Sequence, residues 1–255
     1  MAIPDPPAAP PGWEVAPPDF VGVGAQRSGT TWWWWVLIQH PRVCFKRGLH
    51  TKETHFFDAL QDVEELDEYD AERYHRWFPR LPGTVIGEWT PRYMFDLATP
   101  RHIARVAPEA RIMVLLRDPV DRYVSGLERT FVMARNSGVT LAEADVAADQ
   151  AARGLYFEQV RRVLDAFPRE QVLILQYEQC RAQFEAEVGR TYAFLDLETD
   201  AVEPRNAEPK EPRPRPLSAE ERERLAHLYA PDVKKLVEIA PEIDPELWPG
   251  VRELV

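Results

Sequence analysis

Cysteine is scarce in this sequence, which holds only Cys44 and Cys180 among its 255 residues. Two cysteines so far apart provide neither a disulfide framework nor a Cys-x-x-Cys metal site. We therefore expect two reduced thiols and a reducing compartment. The six histidines show no spacing that is typical of a zinc site, so no metal is expected either.

Positive charge is also in deficit, because 31 lysines and arginines stand against 42 aspartates and glutamates and leave a formal net charge of -11. A general nucleic-acid binder needs a basic face, so this balance argues against that class of protein. It still permits a local basic pocket, since an anion site needs only a few well-placed arginines.

Long apolar runs are missing, and no stretch reaches the length that spans a membrane. The N-terminal sequence MAIPDPPAAPPGW has neither the basic start nor the apolar run of a signal peptide. We therefore expect a soluble, cytoplasmic protein with neither a membrane nor a nucleic acid as its partner. The length, with 45% hydrophobic residues, fits a single domain with a core of normal size.

The order of the predicted elements indicates an α/β fold. Residues 1–18 are rich in Pro and Ala and predict a flexible lead-in to one domain over residues 19–255. Apolar runs of strand length occur at Phe20–Ala25, Thr84–Gly87, Ile112–Leu116 and Val172–Gln176. Helical patterns cover Thr30–His40, Thr99–Val106 and Tyr156–Phe167, and a capping box starts another helix at Ser218. This alternation predicts a parallel sheet of four or five strands with helices on both faces and Phe20–Ala25 in its centre.

A glycine-containing loop, Gly24–Thr31, lies between the first predicted strand and the first helix. The backbone N–H groups of such a turn and the helix N-terminus form a cradle for an anion. The spacing matches a P-loop, but Thr30 stands where a nucleoside triphosphatase has the lysine that reaches the β- and γ-phosphates. This argues against ATP or GTP hydrolysis, and Arg27 supplies the cation from inside the loop. The alternative is a tight turn that binds no ligand and needs its glycines only because larger residues would clash.

A second anion site is indicated where the strand Ile112–Leu116 runs into Arg117. Asp118 is expected to cap a helix that begins at Pro119, so Arg117 lies at the edge of the sheet where α/β folds bind ligands. Ser125 follows two turns into that helix and is placed to meet Arg117 around one anion. Taken alone, Ser125 is better explained as a small residue that permits close helix packing.

These two sites together resemble those of the sulfotransferases that use 3′-phosphoadenosine-5′-phosphosulfate (PAPS). The sequence RSGTTW at residues 27–32 is similar to the Lys-x-Gly-Thr-Thr-Trp loop that binds the 5′-phosphosulfate, with Arg27 in place of Lys. Arg117 and Ser125, eight positions apart, match the pair that binds the 3′-phosphate in that family.

Two further segments resemble the carbohydrate sulfotransferases, including the heparan-sulfate type. The sequence KETHFFD at residues 52–58 is similar to their KExHFF segment. The sequence EWTPRY at residues 88–93 is similar to their EKTPxY segment, with Trp89 in place of Lys. The resemblance extends over about Phe20–Tyr229, and the joint order of the motifs makes coincidence a poor explanation.

The resemblance implies a P-loop-like, three-layer α/β fold with a central parallel sheet flanked by helices. It also implies transfer of a sulfuryl group from PAPS to a hydroxyl or amine of a carbohydrate or small natural product, without a metal. Its implied nucleotide-binding residues are Arg27, Ser28, Gly29, Thr30, Thr31, Trp32, Arg117 and Ser125, with Arg213 and Arg215 from a late basic loop.

The implied catalytic residues lie in the KETHFFD segment and the first loop. Glu53 is the candidate general base, although its residue type alone would suggest a solvated loop glutamate. Lys52 and Arg27 are candidates to stabilise the transferring group and the leaving phosphate. His55 is either an alternative base or a hydrogen-bonding support. The run Trp32–Trp35 points all around its helix, so some indoles must face the sheet and others are available to the acceptor pocket.

Two other functions compete with this prediction. One is a P-loop nucleoside kinase or nucleotide hydrolase, against which the missing lysine counts. The other is a non-catalytic nucleotide-binding protein of the same fold, against which the presence of Glu53, Arg27, Arg117 and Ser125 counts. Neither the identity of the acceptor nor the oligomeric state is indicated by the sequence.

Overall fold

The structure is a computed structural model that describes residues 5–6, 8–206 and 217–255. In chain order, its strands are β1 (Glu14–Val15), β2 (Phe20–Gly24), β3 (Pro79–Arg80), β4 (Gly87–Trp89), β5 (Arg111–Leu116) and β6 (Val172–Gln176). Its α-helices are α1 (Thr30–Leu37), α2 (Glu68–His75), α3 (Thr99–Val106), α4 (Pro119–Asn136), α5 (Glu143–Ala152), α6 (Phe157–Ala166), α7 (Tyr177–Ala182), α8 (Phe184–Phe194) and α9 (Ala219–Ile239). Short 3₁₀ helices cover Phe56–Ala59, Arg169–Gln171 and Pro245–Leu247.

The centre of the fold is a four-stranded parallel sheet with the strand order β4-β2-β5-β6. All five residues of β2 are buried, as an apolar run inside a parallel sheet should be. Strand β2 lies between β4 and β5, so the predicted central position of this segment is confirmed. The predicted strand at residues 172–176 is confirmed as β6, and the one at residues 112–116 as β5, which begins one residue earlier.

One predicted strand was placed wrongly. The prediction was Thr84–Gly87, whereas β4 runs over Gly87–Trp89. The cause is that Val85 pairs with the segment before it: its N–H donates to Arg42 O at 2.8 Å, and its carbonyl accepts from Cys44 N at 2.7 Å. Val85 thus forms an isolated bridge with Val43. The residues that pair with β2 are the next ones, Gly87–Trp89, which include the charged Glu88.

Both faces of the sheet are covered by helices, as predicted, because alternate residues of its strands enter two different cores. In β5, Ile112 and Val114 pack into a core with side chains of α3, α6 and α9. Met113 and Leu115 point the other way, into a core with α1 and α8. The fold therefore has three layers, helix, sheet and helix, around two cores.

The helix ends follow the capping chemistry of the sequence. Asp118 Oδ1 accepts from Val120 N at 2.8 Å and from Asp121 N at 3.2 Å, so α4 begins at Pro119 as predicted. Ser218 and Glu221 form the predicted capping box of α9. Helix α1 ends at Leu37, three residues before the predicted end, and a turn carries the chain on to His40.

Three of the four consecutive tryptophans are core residues. Trp32, Trp33 and Trp34 are buried in the core between α1 and α8, and Trp33 Nε1 donates to Thr191 Oγ1 at 3.1 Å. Trp35 is 46% exposed and contacts Phe45 edge-on. Most of the run therefore packs one face of α1 against the sheet and α8.

The described part of the lead-in, residues 5–6 and 8–18, contains the strand β1. Strand β1 pairs antiparallel with β3, with Glu14 opposite Arg80 and Val15 opposite Pro79. Cys44 and Cys180 are both buried and free. Across the described residues, no helix is long and apolar enough to cross a membrane.

Candidate active site

The glycine-containing loop and Arg117 lie side by side at the carboxyl edge of the sheet. Gly24, at the end of β2, pairs with Val114 of β5, and Ala25 N donates to Leu115 O at 2.9 Å. The strands β2 and β5 both end at the same edge of the sheet, so the loop at residues 24–31 and Arg117 face the same space. This confirms that the two predicted anion sites are neighbours.

Arg27, and not Arg117, contacts Ser125. Arg27 Nε donates to Ser125 Oγ at 3.0 Å, across 98 positions of sequence. Arg117 lies over the ring of Tyr177, 4.8 Å from its centroid, and 3.7 Å from the carboxylate of Asp121. That Arg117 and Ser125 meet around one anion stays a prediction, and the structure adds that the first loop brings its own arginine to the serine.

The surroundings of Arg27 carry an excess of positive charge. Burial lowers the pKa of Arg27, and the charges of Arg129, Arg117 and Arg122 lower it further, while only Glu128 acts in the opposite direction among the neighbours identified. Arg117 Nε is buried and has no hydrogen-bond partner within the described ranges. Clustered guanidinium groups with a free donor are what a bound phosphate neutralises.

The backbone of the loop is shaped for an anion at the start of α1. Gly29 is the residue before the helix and has φ 90°. A Cβ at this position would lie 2.6 Å from the ring of Tyr177, so only glycine fits. Helix α1 begins at Thr30, and its first-turn N–H groups point out of the helix end, toward the space beside Arg27.

The remaining residues of the loop differ in exposure. Ser28 is fully buried, and Thr31 is exposed. Trp32 is 6% exposed, lies between the rings of Tyr177 and Phe184, and has a buried Nε1 without a partner among the described residues. The indole is thus a packing residue in this structure, with one unpaired donor.

The KETHFFD segment forms a chain of charged side chains beside the loop. Lys52 Nζ lies 2.6 Å from Glu53 Oε1 and 3.4 Å from Thr30 Oγ1. Glu53 Oε2 lies 3.2 Å from His55 Nε2, and His55 Nδ1 lies 3.0 Å from Asp58 Oδ2. The candidate base Glu53 is therefore held by Lys52 and His55, and Arg27 is not its partner. Asp58 was not predicted, although it lies in the segment that carried the resemblance.

The charges along this chain reinforce each other. Burial raises the pKa of Glu53, but hydrogen bonds and charge from His55 and Lys52 outweigh it and lower the pKa to about 2. Hydrogen bonds to Asp58 and Glu53 raise the pKa of His55 to about 10, against the effect of burial. At neutral pH Glu53 is ionised and His55 is a cation between two carboxylates.

Backbone strain marks the same two segments. In the described part of the chain, the non-glycine residues with positive φ are Arg27 at 69°, His55 at 52° and Asp196 at 52°. Such conformations cost about 1 kcal/mol or more and persist where the surrounding structure imposes them. Two of the three therefore fall on the residues that the sequence marked as candidates for binding and chemistry.

Glu88 begins the EWTPRY segment that carried part of the resemblance, but the sequence indicated no role for it. It is fully buried in the middle of β4, and its carboxylate accepts from the hydroxyls of Thr54, Tyr74 and Thr90 at 2.5–2.8 Å and from Thr54 N at 3.0 Å. Burial raises its pKa, and the hydrogen bonds act in the opposite direction. Glu88 thereby fixes Thr54, which stands between Glu53 and His55. Its position directly after the predicted strand Thr84–Gly87 was the available signal.

Trp89 occupies the position of a lysine in the resembling segment, and it is fully buried. Its Nε1 donates to Gly24 O at 3.2 Å, and its backbone N–H donates to Lys52 O at 2.6 Å. Trp89 therefore connects the end of β2 with the KETHFFD segment through polar contacts, and it adds no charge to the site.

Two further predictions concern a late basic loop and the absence of a metal. Arg213 and Arg215 lie outside the described residues. Among the residues that are described, no group of three or more His, Cys, Asp and Glu side chains could hold a metal ion.

Comparison with known proteins gives a consistent result. The family model described as "Sulfotransferase domain" matches residues 17–213. Heparan sulfate glucosamine 3-O-sulfotransferase 6 of Homo sapiens is 29% identical over 191 residues, which cover 71% of this chain and 52% of that protein. Bifunctional heparan sulfate N-deacetylase/N-sulfotransferase 2 of Homo sapiens is 26% identical over 205 residues, 71% of this chain and 22% of that protein. The chain thus spans about half the length of the 3-O-sulfotransferase, and less of the bifunctional protein.

Solved structures agree with the family match. A sulfotransferase from Alicyclobacillus acidocaldarius is 28% identical and superposes with a TM-score of 0.72, covering 92% of this chain and 99% of that one. A sulfotransferase from Mycobacterium avium is 15% identical with a TM-score of 0.51, covering 90% of this chain and 76% of that one, and supports the fold alone.

Proposed function

The chain belongs to the sulfotransferase domain family, and we propose that it moves a sulfuryl group from PAPS to a hydroxyl or amine of a carbohydrate or a small natural product. The position of Lys52 carries this proposal: its Nζ lies 2.6 Å from Glu53 Oε1 and 3.4 Å from Thr30 Oγ1. The lysine joins the carboxylate that would accept a proton to the loop that would hold the phosphosulfate. Direct transfer requires donor and acceptor groups to share one site in this way.

The charges around the loop fit the two anionic ends of PAPS. The 5′-phosphosulfate would bind the N–H groups at the start of α1 and Lys52. The 3′-phosphate would bind Ser125 and Arg117, whose buried Nε has no hydrogen-bond partner among the described residues. Each charge-assisted hydrogen bond to a phosphate contributes about 1.5–3 kcal/mol, which would separate PAPS from nucleotides without the 3′-phosphate. Arg213 and Arg215 remain proposed as later contacts to the nucleotide.

The chemistry assigned to the chain is an in-line displacement at sulfur. The acceptor oxygen or nitrogen forms a bond to sulfur, and the bond from sulfur to the phosphate oxygen breaks. The proton of the acceptor goes to Glu53, and adenosine 3′,5′-bisphosphate leaves. Lys52 and Arg27 would offset the charge that grows on the leaving phosphate.

The contacts of His55 favour Glu53 as the base. A protonated imidazole whose two nitrogens both face carboxylates cannot accept a proton from the acceptor. We therefore assign His55 the role of a positive support that orients Glu53, and Asp58 the role of keeping His55 charged. A positioned carboxylate contributes about 10²–10⁴-fold to such a transfer.

Ligand binding separates this proposal from a kinase or hydrolase of the same fold. Adenosine 3′,5′-bisphosphate should raise the melting temperature of the protein, since a ligand at about 100 times its Kd stabilises by about 2.7 kcal/mol. ATP with Mg²⁺ should raise it far less. A larger shift with ATP and Mg²⁺ would contradict the proposal.

Transfer itself separates the proposal from a non-catalytic nucleotide-binding protein. Radiolabelled PAPS would be incubated with the protein and a panel of hydroxyl and amine acceptors, and labelled product separated from free sulfate. A protein that binds the bisphosphate tightly but labels no acceptor would be a binding protein.

A further inference from the structure

The polar side chains beside Glu53 extend into a longer series of paired charges. Arg92 Nε lies 3.3 Å from Asp96 Oδ2, and Gln61 Nε2 donates to the same oxygen at 3.2 Å. Asp96 is also close enough to Asp58 and Arg153 to feel their charges. Arg92 and Asp96 therefore form a second group of paired charges near Asp58.

The series returns to the donor loop through α5. Arg153 Nη1 donates to Gln26 Oε1 at 2.7 Å, and Gln26 precedes Arg27 in the loop. Arg153 Nε also pairs with Asp149 at 2.8 Å, and its guanidinium lies 4.4 Å from the ring centroid of Phe95. We refer to the whole set as the acceptor ring: Lys52, Glu53, His55, Asp58, Arg92, Asp96, Asp149 and Arg153.

The acceptor ring has no net charge. Its four cations, with His55 protonated, are matched by four carboxylates, and each cation lies within 2.6–3.3 Å of a carboxylate of the ring. The adjacent Arg162 is a further cation outside the ring: it donates to the backbone carbonyls of Met94 and Phe95, and its buried Nε has no hydrogen-bond partner among the described residues. Asp58, which is one of the four carboxylates already counted, has a buried Oδ1 without a hydrogen-bond partner in the described part of the chain.

The donor side of the same site is different. Arg27, Arg117, Arg122 and Arg129 stand there against the carboxylates of Asp121 and Glu128. Among the described residues, this side therefore has two more cations than carboxylates, a larger excess than that of the acceptor ring together with Arg162. Trp89 contributes to this contrast, because a buried indole stands where the resembling segment has a lysine.

A polyanionic acceptor would need unpaired cations along its path. Each sulfate or carboxylate of such an acceptor loses water on binding and is stabilised only by a charge that is not already neutralised. A neutral sugar has the opposite requirement, since its hydroxyls donate to carboxylates and accept from guanidinium groups. The alternating donors and acceptors of the ring meet that requirement.

We propose that the acceptor is an uncharged, polyhydroxylated compound, a neutral sugar or glycoside, and not a sulfated polyanion. This inference rests on the proposed sulfotransferase function and specifies its substrate class. It departs from the heparan sulfate relatives, whose names contain a sulfated glycan.

Calorimetry with the whole protein tests the charge argument directly. The protein would be saturated with adenosine 3′,5′-bisphosphate, so that its donor-side arginines are occupied, and titrated with an N-sulfated heparan hexasaccharide at low and at physiological salt. We expect no saturable binding below about 1 mM, since only net uncompensated cations bind a polyanion tightly. Micromolar binding that weakens steeply with salt would overturn the proposal. Failure to bind the bisphosphate would instead refute the proposed function.

A matched pair of charge-reversal variants tests whether the ring is the relevant surface. Asp149→Lys removes a carboxylate of the ring, and Asp200→Lys makes the same charge change at an exposed position elsewhere. With the bisphosphate bound, Asp149→Lys should gain measurable affinity for the hexasaccharide, at least fivefold above Asp200→Lys. An equal gain in both variants would overturn the assignment of the acceptor to the ring.

Turnover provides the second readout. Transfer of label from PAPS would be compared between a panel of neutral glycosides and the same hexasaccharide. We expect at least one neutral glycoside to exceed the hexasaccharide in kcat/KM by tenfold or more. An equal or higher kcat/KM for the hexasaccharide would overturn the proposal, and the calorimetric result decides if no compound is labelled.

Discussion

At the scale of single residues, the ionised Glu53 carboxylate is the group on which the proposed proton transfer depends. Glu53→Gln keeps the length and a hydrogen-bond acceptor but cannot take a proton. We expect the single-turnover rate of transfer from PAPS to fall by about two orders of magnitude or more, with affinity for adenosine 3′,5′-bisphosphate nearly unchanged. The control Glu65→Gln makes the same exchange at an exposed position. A Glu53→Gln rate within a few-fold of the original would show that Glu53 is not the base.

His55 should hold its second proton well above neutral pH. Asp58 and Glu53 raise its pKa from 6.5 to about 10, so this pair of contacts stabilises the segment fully below pH 6.5 and is lost as the pH rises through about 10. NMR of the imidazole should show no deprotonation between pH 6 and 8. In Asp58→Asn the titration should move toward neutral pH. An ordinary titration near pH 6.5 in the original protein would refute the assigned ion pairs.

Arg117 is assigned to the 3′-phosphate alone, which makes its removal selective. Arg117→Ala should weaken binding of adenosine 3′,5′-bisphosphate by about 10–100-fold and binding of adenosine 5′-phosphosulfate by much less, because the second ligand lacks the 3′-phosphate. Calorimetry with both ligands measures the difference. Arg181→Ala, which removes a guanidinium 5.9 Å from the same Tyr177 ring centroid, is the control. Equal losses for the two ligands would contradict the assignment.

At the scale of elements, the end of β4 holds the KETHFFD segment through one buried network. Thr54 Oγ1 donates to Glu88 Oε1 at 2.8 Å and lies 3.0 Å from the hydroxyl of Tyr93. Thr54→Val removes the hydroxyl, and two buried groups, the Glu88 carboxylate and the Tyr93 hydroxyl, each lose one hydrogen-bond partner. We expect the free energy of unfolding to fall by about 1–3 kcal/mol and kcat to fall more than the affinity for the bisphosphate, because Glu53 and His55 lose their support.

Urea unfolding and single-turnover kinetics measure these two effects. Thr84→Val serves as the control, since the Thr84 hydroxyl bonds only to Leu81 O in an exposed turn. Its effect on the free energy of unfolding should stay below about 1 kcal/mol. A Thr54→Val protein as stable and as active as the Thr84→Val protein would show that the network does not position the base.

At the scale of the whole molecule, Glu178 connects three distant parts of the chain. Its carboxylate accepts from Asp118 N at 3.0 Å and from Trp248 Nε1 at 2.9 Å, so α7, the start of α4 and the C-terminal segment meet there. Burial raises the pKa of Glu178 to about 7, from 4.5, although these hydrogen bonds act in the opposite direction. The folded protein therefore binds a proton at this residue that the unfolded chain releases above pH 4.5.

The raised pKa of Glu178 means that the contribution of this residue to the free energy of unfolding falls as the pH rises from 4.5 through about 7. The full cost of the buried charge at pH 8 is about 3 kcal/mol. Glu178→Gln cannot ionise, and its amide accepts a hydrogen bond from Trp248 Nε1 less well than the carboxyl group does. The variant should therefore be less stable than the original protein at pH 5.5. It should recover most of that deficit at pH 8, where the original protein carries the buried charge. Urea unfolding at both pH values measures this, with the exposed Glu246→Gln as control. A pH-independent difference would contradict the raised pKa.

Much of the fold could be predicted because its signals are local. The apolar runs that became β2, β5 and β6 are buried on both faces, and the side chains of Asp118 and Ser218 cap the helices that follow them. The position of β4 was predicted wrongly because residues 84–89 pair with two different partners. Local propensity does not indicate that Val85 pairs with Val43 while Gly87–Trp89 pair with β2.

Local patterns along the chain are enough to predict the alternation of strands and helices, the glycine-containing loop and the segments that carry Arg117 and Glu53. They do not predict that Arg27 contacts Ser125, that His55 lies between Glu53 and Asp58, or that Glu88 fixes Thr54, and these contacts are known from the folded chain alone. The reason is physical: hydrophobic periodicity and capping depend on neighbours along the chain. The Arg27–Ser125 contact joins residues 98 positions apart, and even neighbouring charges such as Glu53, His55 and Asp58 take their mutual directions from a backbone that the rest of the fold holds at positive φ.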